Sequence, residues 1–350
     1  MIPTHALAAV LEEIGKPLEL RKIELPKLLS GQVLVKVRYS GVCRSQVMEV
    51  SGGRGPDRWL PHLLGHEGSG TVLAVGTDVT KVVVGDAVIL GWLRGTGLDS
   101  RGAKYKCGDT VINSGAVTTF SNYTVVAENR LVIKPDALPF DQAILFGCAL
   151  PTGAGMILNE ARPSVDETVV VVGLGGIGLS ALMALKALGI KVRVAVDVSE
   201  EKLTVAKNLG ATHLFNSAAN TFISDIGQLT GHTGFDICIE SGGKAETIEL
   251  GFDLIRKGGG RLFFASHPPE GELIQIAPHD LISGKHICGS WGGACKPDVD
   301  VPRFFTLLNQ AMIPLDILLT KKYKLVDINQ ALKDLRLGRV FRPLIEMDHD

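Results

Sequence analysis

Four glycines fall within six positions in Gly173-Leu174-Gly175-Gly176-Ile177-Gly178, directly after the β-branched run Thr168-Val169-Val170-Val171-Val172. In such a pattern the first glycine makes a tight turn. The second lets the backbone approach a pyrophosphate, and the third lets the following helix pack closely on the strand. The start of that helix, including Gly176 and Ile177, offers free N–H groups and partial positive charge to phosphates. Asp197 lies 19 residues beyond Gly178, at the end of a second apolar run. There it would accept hydrogen bonds from ribose hydroxyls and repel a 2′-phosphate, so NAD is expected rather than NADP. Three further residues could hold a metal. Cys43, His66 and Cys148 are 23 and 82 residues apart, and separations that long do not distinguish ligands from two buried cysteines and a core histidine.

The elements that must position these residues change character near residue 165. Before it, 32–39 alternates apolar and polar side chains, as a half-buried strand does. Short apolar runs follow at 70–75, 87–90 and 123–126, with glycine turns at 76–78 and 85–86. Many short strands of this kind indicate a barrel or sandwich. Beyond residue 165, strand-like runs at 168–172, 192–196, 235–240 and 261–265 alternate with helical patterns at 179–188, 200–209 and 245–256. That order predicts a parallel sheet with helices on both faces. A helix over 329–337 and a strand over 343–347 follow.

Composition narrows the function classes. The 350 residues carry 36 Lys+Arg against 37 Asp+Glu, a net charge of −1, which lacks the basic excess of a nucleic-acid binder. No run reaches the ~18 apolar residues of a membrane span. The six cysteines are irregularly spaced, which favours a reduced, cytoplasmic protein without disulfides.

Several segments resemble, in order and approximate spacing, the medium-chain zinc-dependent alcohol dehydrogenases. They are Gly41-Val42-Cys43-Arg44-Ser45, Gly65-His66-Glu67-Gly68-Ser69-Gly70 and Gly147-Cys148-Ala149-Leu150-Pro151-Thr152-Gly153. The glycine-rich turn and Arg342-Pro343-Leu344 fit the same family, so the resemblance spans essentially the whole chain. It implies an α/β protein: a GroES-like β-rich catalytic domain over 1–150, completed by 292–350, and a doubly wound Rossmann domain over 151–291. It also implies Cys43, His66 and Cys148 as zinc ligands, a set that leaves a fourth position open. Ser45 would hydrogen-bond the alcohol and take its proton, and Glu67 would lie beside the metal. Arg44 and Arg342 would hold the pyrophosphate. Thr152 would pack beside the nicotinamide, Lys202 would flank the adenosine ribose, and Trp92 would line the substrate pocket. Each has a plainer reading: Glu67 as a buried acid paired with an arginine, Ser45 as a loop cap, the arginines as surface ion pairs, Lys202 as an exposed helix lysine, Trp92 as core.

The departures from the family are as informative. Most of these enzymes bind a structural zinc through four closely spaced cysteines, but 91–109 holds only Cys107, so one zinc per subunit is expected. That segment carries Arg94, Arg101, Lys104 and Lys106 and reads as a solvated loop; its alternative role is binding an anionic or highly hydroxylated substrate. Gln46 stands where the family has aspartate, and its amide oxygen is expected to accept a hydrogen bond from His66. Met48 stands where many members have a proton-relaying histidine. The resulting expectation is a homodimeric, NAD-linked zinc alcohol dehydrogenase that interconverts an alcohol with an aldehyde or ketone. The alternatives are a polyol or sugar-derivative dehydrogenase and a non-catalytic NAD-binding protein.

Overall fold

In the computed structural model, which describes residues 2–349, the chain divides into two units. The first comprises the chain up to Cys148, Lys296–Pro302 and the part from Leu315 onward; the second comprises Ala149–Cys295 and Arg303–Pro314. The boundary at 292 expected from sequence is therefore interrupted, because 303–314 clusters with the second unit.

The strands of the first unit begin with β1 (His5–Leu11), β2 (Glu19–Glu24), β3 (Gln32–Gly41), β4 (His62–Leu63) and β5 (Gly68–Val75). They continue with β6 (Ala87–Leu90), β7 (Lys104–Cys107), β8 (Thr110–Asn113), β9 (Tyr123–Ala127) and β10 (Leu131–Ile133). The second unit supplies β11 (Thr168–Val172), β12 (Val192–Asp197), β13 (His213–Asn216), β14 (Ile237–Glu240), β15 (Arg261–Phe264) and β16 (His286–Gly289). Two more, β17 (Lys322–Lys324) and β18 (Leu344–Glu346), belong to the first unit.

In the first unit a closed barrel runs β1-β2-β7-β8-β4, and a second sheet runs β10-β6-β5-β3-β18-β17 with β9 also on β3. Period-two alternation gives β3 its inward face of Val33, Val35 and Val37, all fully buried. The second unit is a parallel sheet ordered β13-β12-β11-β14-β15-β16. Its central strand β11 is apolar on both faces, as burial under helices on two sides requires. Among the described residues no single helix is long and apolar enough to cross a membrane.

The 91–109 segment is not simply a solvated loop. Its end is strand β7, where Tyr105 is fully buried and its hydroxyl accepts the Val125 N–H at 2.8 Å. Lys104 and Lys106, on the alternate positions, face solvent, and Arg94 pairs with Asp99 at 3.1 Å. The stretch before β7 is clasped by two carboxylates. Buried Glu128 accepts the N–H groups of Thr80 (2.6 Å), Lys81 and Leu98 (2.7 Å). Asp298 accepts the Thr96 N–H at 2.6 Å and its hydroxyl at 2.9 Å, and pairs with Lys81 at 2.6 Å.

Candidate metal centre and nucleotide site

Register in the first unit's second sheet brings distant residues to one place. Strand β3 pairs antiparallel with β5 (Ser40 opposite Gly68) and with β18 (Leu344 opposite Gly41). The end of β3 therefore meets the starts of β5 and β18. Cys43 follows β3, His66 and Glu67 precede β5, and Arg342 precedes β18. Cys148 arrives from the 3-10 turn Ile144–Gly147.

The ligand atoms of Cys43, His66 and Cys148 all lie within 4.8 Å of one another. His66 Nε2 is 3.2 Å from Cys148 Sγ. The two sulfurs share a hydrogen bond, which pulls the Cys43 thiol well below its ordinary range, despite burial, with help from the Arg342 charge. The same bond, with burial, pushes the Cys148 thiol up. Burial pushes the Glu67 carboxyl up to about 6, against the pull of Arg342. Burial opposes the Arg342 charge too, but Glu67 and Cys43 outweigh it. Two cysteines and one imidazole at such separations suit zinc in its tetrahedral habit. Ser45 Oγ, in the first turn of the helix Arg44–Val50 that starts after Cys43, is buried and has no hydrogen-bond partner. A hydroxyl so placed is costly unless something binds there, so these residues fit a metal with a polar substrate.

Two expectations need correction. Arg342, assigned above to the pyrophosphate, is only 3% exposed, and its Nη1 donates to Glu67 Oε1 at 2.7 Å. It is the arginine of the plainer reading of Glu67, committed to the thiol cluster. Gln46 also differs from expectation. Its Oε1 accepts the Cys43 backbone N–H at 3.0 Å, and its amide nitrogen is the atom in contact with His66 Nδ1. Arg44 is exposed and Met48 half-buried on helix Arg44–Val50. Trp92 is half-buried just after β6, with its carbonyl accepting from Arg130.

In the second unit the glycine turn has the geometry expected of it. Gly173 has φ +86°, and a Cβ on Gly178 would stand 2.0 Å from the Gly173 carbonyl. A Cβ on Gly175 would meet nothing within 4 Å, so the turn opens on space where a pyrophosphate fits, at the start of helix Gly176–Ala187. Asp197 ends β12; its Oδ2 accepts the Leu174 N–H at 2.7 Å, and Lys202 Nζ stands 3.7 Å away. Thr152 is buried in helix Ala149–Gly155. Sequence reading missed Glu240. At the end of β14 its Oε1 accepts the N–H groups of Gly242 (2.7 Å) and Gly243 (2.9 Å) and the Thr247 hydroxyl (2.7 Å). This fixes the loop that packs on Gly173. The available signal was an acid closing the strand-like run 235–240.

Comparison with known proteins agrees in both units. Residues 29–136 match the family of alcohol dehydrogenase GroES-like domains, and 176–310 match the zinc-binding dehydrogenases. The crystal structure of benzyl alcohol dehydrogenase from Acinetobacter calcoaceticus is similar, with a TM-score of 0.89 and 30% identity over 98% of this chain and 99% of that one. An alcohol dehydrogenase zinc-binding domain protein from Burkholderia ambifaria has a TM-score of 0.90 and 27% identity, covering 99% of each chain. The class-3 alcohol dehydrogenase of Cereibacter sphaeroides is 29% identical over 97% of this chain and 98% of its own.

Proposed function

Because the chain belongs to the medium-chain zinc-dependent alcohol dehydrogenase family, we propose that it is an NAD-linked, zinc-dependent enzyme interconverting an alcohol with its aldehyde or ketone. The observation that carries this reading is the Cys43–His66–Cys148 cluster, with ligand atoms within 4.8 Å and the unpartnered Ser45 hydroxyl in the helix turn that follows Cys43.

When bound, zinc supplies Lewis acidity and the nicotinamide accepts hydride. This chain's residues do the rest. Cys43, His66 and Cys148 hold the metal, and Ser45 Oγ orients the substrate hydroxyl and takes its proton. Glu67, neutralised by Arg342, sets the charge behind the thiolates. Met48 has no proton acceptor, so the proton passes from Ser45 toward solvent without an imidazole on that helix. In the second unit Gly173, Gly175, Gly176, Ile177 and Gly178 admit the pyrophosphate, and Asp197 takes the ribose, with Lys202 beside it. Arg44 is exposed and free to reach a phosphate, and Thr152 and Trp92 are proposed for the nicotinamide and the substrate. Met48 also favours a second reading, a polyol or sugar-derivative dehydrogenase, since the proton route differs from that of enzymes with the relay histidine. A homodimer is proposed through β16, an edge strand with exposed residues, and a cytoplasmic location from six cysteines that form no disulfide.

An NAD-coupled screen over aliphatic alcohols, polyols and sugar derivatives, with metal analysis, tests the proposal. One zinc per subunit is expected; NAD binding without zinc or turnover would leave a non-catalytic binding protein. Cofactor choice gives a further prediction. NAD should exceed NADP in kcat/KM by about 10²-fold, because the Asp197 carboxylate would face a 2′-phosphate in a partly desolvated site. Asp197→Asn keeps an acceptor for the Leu174 N–H and removes the charge, so the ratio should fall to within about tenfold. An unchanged ratio in that variant would show that another residue discriminates.

A further inference from the structure

Gln46 is placed between two groups that, once a metal is bound, both have to donate to it. One is the backbone N–H of Cys43, which donates to Gln46 Oε1 at 3.0 Å. The other is His66 Nδ1, in contact with the Gln46 amide nitrogen. Nδ1 accepts from that amide only while the imidazole proton sits on Nε2, the atom 3.2 Å from Cys148 Sγ. If His66 ligates a metal through Nε2, that lone pair is used, and a neutral ring carries its proton on Nδ1. Nδ1–H then faces an N–H₂ group. Turning the amide over only moves the mismatch to the Cys43 N–H, because an amide has one acceptor oxygen and a carboxylate has two. Gln46 is 2% exposed, so water has little access to repair the mismatch.

We propose that Gln46 is a positioning residue that weakens metal binding at Cys43–His66–Cys148: loading the ion sacrifices one of its two hydrogen bonds. This rests on the zinc-site reading given above. While the His66 ring is neutral and protonated on Nε2, the metal-free protein keeps both bonds, so loading the ion costs one of them.

Zinc affinity, measured by competition with a chelating indicator on wild-type protein, Gln46→Met and Gln46→Glu, tests this without reference to turnover. Gln46→Met is uncharged and of similar length, and has no bond to lose on loading. It should bind zinc more tightly than wild type, by about threefold to tenfold, the worth of one net hydrogen bond. Gln46→Glu, with two acceptor oxygens, should bind tighter still. Circular dichroism of the metal-free proteins establishes that both variants fold. Equal or weaker binding by Gln46→Met overturns the proposal, since an ordinary supporting partner would cost affinity by about 10–100-fold when removed. If Gln46→Met does not fold, the Gln46→Glu arm decides: affinity no higher than wild type overturns the proposal. Failure of the zinc-site reading looks different: wild type and Cys43→Ala would then bind zinc equally poorly.

Discussion

Cys148→Ala is expected to lower turnover by about 10³-fold or more and to empty the metal site, while circular dichroism stays that of the parent. The scale is that of losing a charge-stabilising group from an active site. Cys148 stands within reach of both His66 Nε2 and the Cys43 sulfur. Without it two protein ligands remain, one short of the three that hold zinc in a site with an open fourth position. The fold should survive because the sulfur lies beside the sheet ends and not inside the clusters that fill the barrel. Metal content and single-turnover rates of the purified variant check this; retained zinc with retained rate would remove Cys148 from the site.

The second large effect concerns stability. Glu128→Ala should destabilise the first unit by about 3–5 kcal/mol, because the N–H groups of Thr80, Lys81 and Leu98, held in part-buried bonds to its carboxylate, lose their acceptor together. Glu128→Gln should lose less, since one oxygen remains. Burial alone would push the Glu128 carboxyl up, but the three N–H groups and Lys81 hold it below its ordinary value. A carboxyl lowered by folding stabilises fully above the ordinary carboxylate range, and the contribution fades as pH falls through the folded value. The gap between wild type and Glu128→Ala should therefore narrow in acid. Urea melts at neutral and acidic pH measure it. A loss below about 1 kcal/mol at neutral pH would mean that the Asp298 clasp suffices.

What the sequence made legible follows from how local each signal was. The strand over 168–172 and the turn after it could be read directly, because a parallel strand buried on both faces is a continuous β-branched run and the turn demands glycine. Asp197 followed from its place at the next strand end. The 104–107 strand was not legible. Lys104-Tyr105-Lys106-Cys107 has one large apolar side chain and takes its order from barrel partners elsewhere in the chain. The Glu67–Arg342 pair spans 275 residues, so no local pattern joins them. Gln46 was foreseen as a neighbour of His66, but which end of its amide would meet the ring depended on the Cys43 N–H, a group that sequence does not display.

Strand β18 lies between β3 and β17, and Arg342 stands two residues before it. On a ribosome this imposes an order of events. The parallel sheet of the second unit is drawn from one contiguous stretch and has all its strands once β16 has emerged. Strand β3 at that moment has β5 and β9 but lacks the partner of its Tyr39–Gly41 end, and Glu67 lacks Arg342. Local contacts form early and distant pairings wait for the chain that makes them. Cys43, His66 and Cys148 therefore leave the ribosome well before their surroundings are finished, and a nascent chain stalled between β16 and β18 would carry a completed parallel sheet and, in the other unit, an unfinished thiol cluster open to whatever metal or oxidant the compartment holds.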